Sequence, residues 1–290
     1  MTSGFFHRKL FTVLTTSGTY CELRCRYCES KYLSSMEYLD LRDPYTSISR
    51  LLSRGVKGIL ISGGFNRSGI LLNLDRVLEL LPEIRRLFSV VTMHPGFVEN
   101  DEIARIISQY VDVVDLEFTL SPYIAQYVRN LDVERYVRTL ETFLNAGAYV
   151  VPHVFLWHPH QGRESLVNEL AYLRDRGLNT VTLLVFICPE VPSFETLKRL
   201  LDVASKFDLE LYLGCMRPSK LKKELDLYAA TESIVSRIAN PHPIAWSYID
   251  VFYDACCSIP QSKLNEFLYP HPLESVDAST HHRCEEYKRG

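Results

Sequence analysis

The sequence predicts an α/β fold, a (βα)8 TIM-like barrel in which eight parallel strands alternate with helices. Three observations lead to this prediction. Apolar segments of strand length recur along the chain, segments with a helical period lie between them, and Gly55, Gly147 and Gly177 stand just before strands, where helix C-caps are expected. A chain of 290 residues, 47% of them hydrophobic, also has the size of a single barrel.

The predicted strands are mostly unbroken apolar runs, as parallel strands covered on both faces require. In chain order they are residues 11–16, 58–62, 89–94, 111–118, 148–156, 180–187, 210–214 and 234–238. Between strands, apolar residues recur at three-to-four spacing in 74–81 and 132–146, which indicates amphipathic helices. We predict a barrel domain, residues 1–250, and a C-terminal extension, residues 251–290, that carries cysteines and caps the barrel mouth.

Charge and composition exclude several classes of protein. The formal net charge of −3 argues against nucleic-acid binding through a basic surface. No apolar run approaches the ~20 residues of a membrane span, and residues 1–9 lack the apolar core of a secretory signal. A chain of this length does not need a disulfide framework, so its clustered cysteines indicate metal binding in a reducing cytoplasm.

Cys21, Cys25 and Cys28 follow the first predicted strand with three and then two intervening residues. A loop that leaves a strand can wrap such thiols around one iron–sulfur cube, because thiolates are the preferred ligands of these clusters. Three cysteines bind three irons and leave the fourth iron open for a chelating ligand. The alternatives are a structural zinc site, which needs four ligands although no second cysteine pair lies nearby, and inert buried thiols.

This CxxxCxxC pattern, with Tyr27 before the last cysteine, resembles the signature of radical S-adenosylmethionine (SAM) enzymes. The resemblance implies a [4Fe–4S] cluster whose open iron is chelated by the amine and carboxylate of SAM. It also implies that the reduced cluster cleaves SAM to methionine and a 5′-deoxyadenosyl radical.

Ser62, Gly63 and Gly64 end the second predicted strand, and two glycines let the backbone approach a ligand closely. The segment resembles the glycine motif of the same superfamily, which implies contact with the SAM amine, although Phe65 replaces the usual acidic residue. A simple turn is the alternative interpretation.

Polar residues recur at the carboxyl ends of the predicted strands, where a barrel of this type holds its active site. His94 and His153 lie within or at the end of apolar strands, so they either line the core or act in the site. Glu117 is costly to bury without a partner. We therefore predict that Tyr27, His94 and Glu117 bind the cofactor and that His153 is catalytic.

The remaining cysteines form a second feature. Cys215 ends the seventh predicted strand, and Cys256 and Cys257 are adjacent, which makes a bond between them strained. We predict that these three bind a second iron–sulfur cluster, with Arg217 or Cys188 beside them; buried small hydrophobic residues are the alternative. Cys284 is isolated in the sequence.

Several segments narrow the resemblance to the archaeal biotin-synthase-related radical SAM proteins, a group that includes one partner of a two-protein lipoyl synthase. They are residues 18–28, 61–64, 151–153, 213–218 and 224–226. The chain departs from the group at Lys31-Tyr32, where a Gly-His pair is common, and at Cys188.

The narrower resemblance implies sulfur insertion into an octanoyl chain on a lipoyl domain, with sulfide from the second cluster and with Cys215, Arg217 and His153 as catalytic residues. The implied partners are the octanoylated lipoyl-domain protein, a second radical SAM protein and an electron donor such as ferredoxin, and neither nucleic acid nor a membrane. The alternatives are another radical SAM reaction, such as methylation or rearrangement of a small molecule, and a non-enzymatic zinc-binding protein.

Overall fold

The computed structural model describes residues 1–160 and 162–273. The strands within these residues form one sheet. They are β1 (Ser3–Phe6), β2 (Phe11–Thr15), β3 (Glu37–Tyr38), β4 (Gly58–Ser62), β5 (Val90–Met93), β6 (Val113–Glu117), β7 (Val150–Trp157), β8 (Thr180–Val185), β9 (Glu210–Leu213), β10 (Arg237–Ala239), β11 (Val251–Asp254) and β12 (Leu268–Tyr269).

Helices occupy most of the connections between these strands. They are α1 (Pro44–Ser53), α2 (Leu74–Leu87), α3 (Asp101–Tyr110), α4 (Pro122–Ile124), α5 (Val133–Asn145), α6 (Arg163–Asp175), α7 (Phe194–Ala204) and α8 (Ser219–Thr231). The single turn of α4 continues into a π-helical turn, Ala125–Arg129. In the described part of the chain, every helix is too short or too polar to cross a bilayer.

The strand order is β12-β11-β1-β10-β9-β8-β7-β6-β5-β4-β2-β3, and each pair is parallel except β11 with β12. The eight predicted strands correspond to β2 and to β4 through β10, which are consecutive neighbours in this order. The predicted helices 74–81 and 132–146 correspond to α2 and α5. The predicted α/β class and barrel-like alternation are therefore confirmed, although the hydrogen-bonded order is a curled sheet with edges at β3 and β12.

Two apolar layers and a small cluster of Val113, Val151 and Tyr212 hold the curled sheet of the described residues. The larger layer lies between the sheet and its helices. Along each buried strand, residues of this layer alternate with residues on the opposite, concave face of the sheet. The smaller layer closes the concave side and contains Phe5, Phe11, Leu60, Val90 and Phe267. The rings of Phe11 and Phe267 meet edge to face with centroids 6.1 Å apart, which brings the chain after β11 against β2.

The segment after residue 250, which we assigned to an extension, adds β11 and β12 to the sheet. The Asp254 carboxylate at the end of β11 accepts the backbone N–H groups of Arg8, Lys9 and Leu10, at 2.7, 2.6 and 2.9 Å. These bonds tie the turn between β1 and β2 to the far end of the chain. Residues 274–290, with Cys284, lie outside the described residues.

Candidate cluster and cofactor site

The three cysteines of the motif lie on one loop at the carboxyl end of β2. Cys21 and Cys25 are buried and Cys28 is half-buried. The backbone N–H of Phe65 donates to Cys21 Sγ at 3.3 Å, and the N–H of Ser30 donates to Cys28 Sγ at 3.3 Å. Donors of this kind stabilise thiolates and tune the potential of a cluster that they bind.

The spacing of the thiols favours a cluster over a single ion. Four thiolates around one zinc at ~2.3 Å lie about 3.8 Å apart. Among the described residues, the group of three metal-type ligands with donor atoms all within 4.8 Å is His94, Asp115 and His153, not the three cysteines. Burial raises the pKa of the Cys25 thiol to about 12, against the opposing effect of Arg129. A thiol that binds a metal ion is deprotonated by the charge of that ion.

Gly63 and Gly64 join the end of β4 to the cysteine loop. The N–H of Gly64 donates to Ser17 Oγ at 2.7 Å, and that hydroxyl donates to the carbonyl of Tyr20 at 2.8 Å. A Cβ on Gly64 would collide with the Tyr20 carbonyl and stand 2.8 Å from Cys21 Cα. Gly63 has a φ of +155°, which L side chains rarely adopt. Both glycines are therefore needed for the close approach of this strand end to the first cysteine.

A buried ion pair stands beside the same loop. Glu117, at the end of β6, accepts a hydrogen bond from the hydroxyl of Tyr27 at 3.1 Å and pairs with the guanidinium of Arg129. Arg129 comes from the π-helical turn, lies 5.5 Å from the Phe65 ring centroid and leaves its buried Nε without a hydrogen-bond partner in the described structure. The Arg129 guanidinium thus has one N–H group, at Nε, that can still donate to a ligand.

A second polar cluster lies inside the barrel. Asp115 of β6 is fully buried, with Oδ1 3.4 Å from His153 Nε2 and Oδ2 3.9 Å from His94 Nε2. Its Oδ2 also accepts the hydroxyl of Ser258 at 3.1 Å, and Ser62 Oγ lies 3.4 Å from His94 Nδ1. Burial lowers the pKa of His94. For His153 the bond and charge of Asp115 outweigh burial and raise the pKa.

The other predicted cysteines differ in their surroundings. Cys215 follows β9, and part of its surface is exposed to solvent. The protein around the thiol nevertheless raises its pKa by desolvation, and the charge of Cys256 raises it further. A hydrogen bond from Cys257 lowers the pKa of Cys256, whereas the pKa of Cys257 is raised. Cys257 itself packs in the inner apolar layer. Cys188 donates to the carbonyl of Glu190 at 2.9 Å.

Arg217, which we predicted to be catalytic, is buried in the wall of the barrel. Its Nε and one terminal nitrogen bind the Asp226 carboxylate at 3.0 and 3.1 Å. The same guanidinium donates to the carbonyls of Leu213, Gly214 and Ala239. This arrangement fixes the segment that carries Cys215, and it favours a positioning role for Arg217.

Sequence reasoning missed Arg129 and Ser258. Arg129 belongs to a segment of the sequence without a recognisable motif, and Ser258 follows the vicinal cysteines without a motif of its own. Asp115 had a usable signal, because a carboxylate in an apolar strand needs a partner.

Comparisons with known proteins give a match at the level of structure. Neither a family model nor a curated protein matches the sequence. Streptococcus suis SuiB is similar over 79% of this chain and 57% of its own, with a TM-score of 0.57 and 14% identity. The FeFe-hydrogenase maturase HydG from Carboxydothermus hydrogenoformans is similar over 82% and 58%, with a TM-score of 0.57 and 18% identity.

The methylornithine synthase PylB is similar over 93% of this chain and 78% of its own, with a TM-score of 0.54 and 13% identity. One of these neighbours, SuiB, has also been solved bound to S-adenosylmethionine. At such low identities the likeness shows that this chain has their fold. The chain spans somewhat less than three fifths of the SuiB and HydG chains.

Proposed function

We propose that this chain is a radical SAM enzyme whose [4Fe–4S] cluster is held by Cys21, Cys25 and Cys28. The observation that carries the proposal is the junction between the cysteine loop and the Gly63-Gly64 strand end, where a backbone close approach adjoins the first thiol. When bound, the cluster and SAM supply one-electron reductive cleavage of the sulfonium to methionine and a 5′-deoxyadenosyl radical. The shared fold with SuiB, which has also been solved with S-adenosylmethionine, supports this proposal.

We assign separate roles to the residues of this chain in holding the cluster, binding SAM and excluding water. Phe65 and Ser30 supply N–H donors to two thiolates, and Gly64 lets the backbone of Tyr20 and Cys21 approach the end of β4. The unused Nε of Arg129 suits a carboxylate, so we assign it to the methionyl carboxylate of SAM, with Glu117 holding the guanidinium in place. Tyr27 packs against Phe155 and Phe186, which closes the loop against the barrel wall and excludes water.

The first experiment replaces the motif cysteines one at a time by alanine. We expect each variant to lose cluster iron and 5′-deoxyadenosine formation after anaerobic reconstitution, because a cube with two protein ligands is poorly held. Cys188→Ala, which removes a thiol elsewhere in the barrel, is the matched control and should retain both. Retention of SAM cleavage by a folded Cys25→Ala protein would refute the assignment.

For the reaction itself we propose sulfur insertion into an octanoyl chain on a lipoyl domain, with sulfide from a second cluster at Cys215, Cys256 and Cys257. The electrostatic effect of Cys256 on Cys215 supports a shared site for these cysteines. SuiB has been solved bound to the precursor peptide SuiA, so this fold accommodates peptide substrates in a neighbour. We place the enzyme in the cytoplasm, with a ferredoxin-type donor and a second radical SAM protein as partners.

The triple variant Cys215→Ala, Cys256→Ala, Cys257→Ala tests this reaction. We expect it to retain the first cluster and 5′-deoxyadenosine formation but to add no sulfur to an octanoylated lipoyl-domain peptide, as read by mass. Full thiolation would disprove the second cluster as the source of sulfur, and loss of both products would show that these cysteines are structural. Methylation or rearrangement of another substrate would be favoured if the parent itself adds no sulfur to the peptide. Iron and sulfide analysis of the parent gives an independent check, since two cubes require about eight irons and one cube about four.

A further inference from the structure

We propose that His94, Asp115 and His153 bind one divalent first-row transition-metal ion in the centre of the barrel, apart from the cysteine loop. The donor atoms of these three side chains all lie within 4.8 Å of one another. Ligands at ~2.0–2.1 Å from a tetrahedral ion lie about 3.3 Å apart. The observed separations of 3.4 Å (His153 to Asp115) and 3.9 Å (His94 to Asp115) therefore require only small movements of the rings.

The carboxylate supplies a second, independent observation. Asp115 has no exposed side-chain area, and its Oδ1 meets His153 Nε2 at 3.4 Å without the geometry of a full hydrogen bond. A buried carboxylate oxygen without a donor is costly unless a cation neutralises it. Oδ1 lies on the side of His153, so an ion between these two groups would satisfy it.

The groups around the cluster are arranged as supporting contacts of a metal site. Ser258 donates to Asp115 Oδ2 at 3.1 Å, and Ser62 Oγ stands 3.4 Å from His94 Nδ1. A partner on Nδ1 directs Nε2, the atom nearer Asp115, towards the ion. Ser62 also belongs to the strand end that precedes Gly63, so the metal site and the proposed SAM site share one element.

The ligand set defines the class of ion. Two imidazoles and one carboxylate suit Fe(II), Zn(II), Co(II) and Mn(II), and three protein ligands leave coordination positions open. The side chains of His94 and His153 are 33% and 17% exposed, so these positions face the solvent-accessible side of the barrel. We assign the open positions to a carboxylate or amine of the substrate, which the ion would hold beside the radical site. An Asp115–His153 ion pair without metal is the competing explanation.

The probe is Co²⁺ alone, added anaerobically to the full chain with its cysteine-loop cluster already loaded. We expect one Co²⁺ per chain by elemental analysis. Asp115→Asn and His153→Gln should weaken binding by about tenfold or more, since each removes a ligand. His158→Asn, which changes another buried barrel histidine, is the matched control and should leave the affinity unchanged.

Ser258→Ala keeps the test decisive if a ligand variant does not fold. It removes only a support of the carboxylate and should still weaken Co²⁺ about tenfold. Absence of stoichiometric Co²⁺ in the parent, or unchanged affinity in folded Asp115→Asn, would overturn the proposal and favour the ion pair. Binding is measured without SAM, so this result does not depend on whether SAM is cleaved.

Discussion

Gly64→Ala is the substitution that most directly tests the junction between the strand end and the cysteine loop. The added methyl group would collide with the Tyr20 carbonyl and stand 2.8 Å from Cys21 Cα. Normal carbon–carbon contacts are about 3.5 Å or longer, so the loop must retreat by about 0.7 Å or more. The neighbours are backbone atoms, which cannot rotate out of the way as a side chain can.

The cost of this retreat falls on function more than on stability. Overpacking of this kind destabilises a fold by about 1–3 kcal/mol, which a barrel of this size tolerates. The displaced atoms include the first cysteine, however, and a shift of about 1 Å in a reacting group can reduce a rate about 100-fold. We therefore expect a folded protein whose SAM cleavage falls by tens to a hundredfold.

The assay is anaerobic 5′-deoxyadenosine formation, measured together with cluster iron and the thermal melt. Gly162→Ala is the matched control, because in the described structure a Cβ there meets nothing within 4 Å. It should cleave SAM like the parent. SAM cleavage by Gly64→Ala within threefold of the parent would refute the close-approach argument.

Two further predictions concern stability. Burial lowers the pKa of His158 to about 4, so the unfolded chain takes up a proton at this histidine before the folded chain does as the pH falls below about 6.5. The free energy of unfolding should therefore drop by up to about 3 kcal/mol between pH 6.5 and 4. Denaturant titration at each pH measures this drop, which should be less steep in His158→Asn. Equal slopes for the two proteins would contradict this. Arg217→Met leaves the buried Asp226 carboxylate without its cationic partner and should lower the free energy of unfolding by about 3–5 kcal/mol. A loss below about 1 kcal/mol would show that the fold does not need this ion pair.

Local signals in the sequence predicted most of the barrel. The strands β4 and β8 are continuous apolar runs, and their boundaries agree with the prediction to within two residues. The prediction missed β1 and β11, which have four residues each and gain their stability by pairing with each other across almost the whole chain. No local pattern reveals a pairing of that kind.

The candidate site also contains residues that a local pattern reveals and residues that only the tertiary structure brings together. Cys21, Cys25 and Cys28 lie within eight residues, so their spacing alone identifies a ligand loop. Arg129 and Ser258 act on this region only because a π-helical turn and a returning segment bring them to it. Arg217 was recognised as part of a motif, but its pairing with Asp226 is a tertiary contact that no local pattern reveals.

The tie between Asp254 and the turn at residues 8–10 has a consequence for synthesis on the ribosome. The Arg8 and Asp254 positions that it joins are 246 residues apart, and within residues 1–160 and 162–273 the strands that pair with β1 are β10 and β11. The first strand must therefore wait, with Phe5 and Phe6 uncovered, until nearly the whole described chain has emerged. Non-local pairing of this kind is slow and leaves apolar surface open to wrong partners. Phe5 and Phe6 therefore stay exposed while the residues up to β11 are translated, and chaperone binding should be concentrated on β1 during that time.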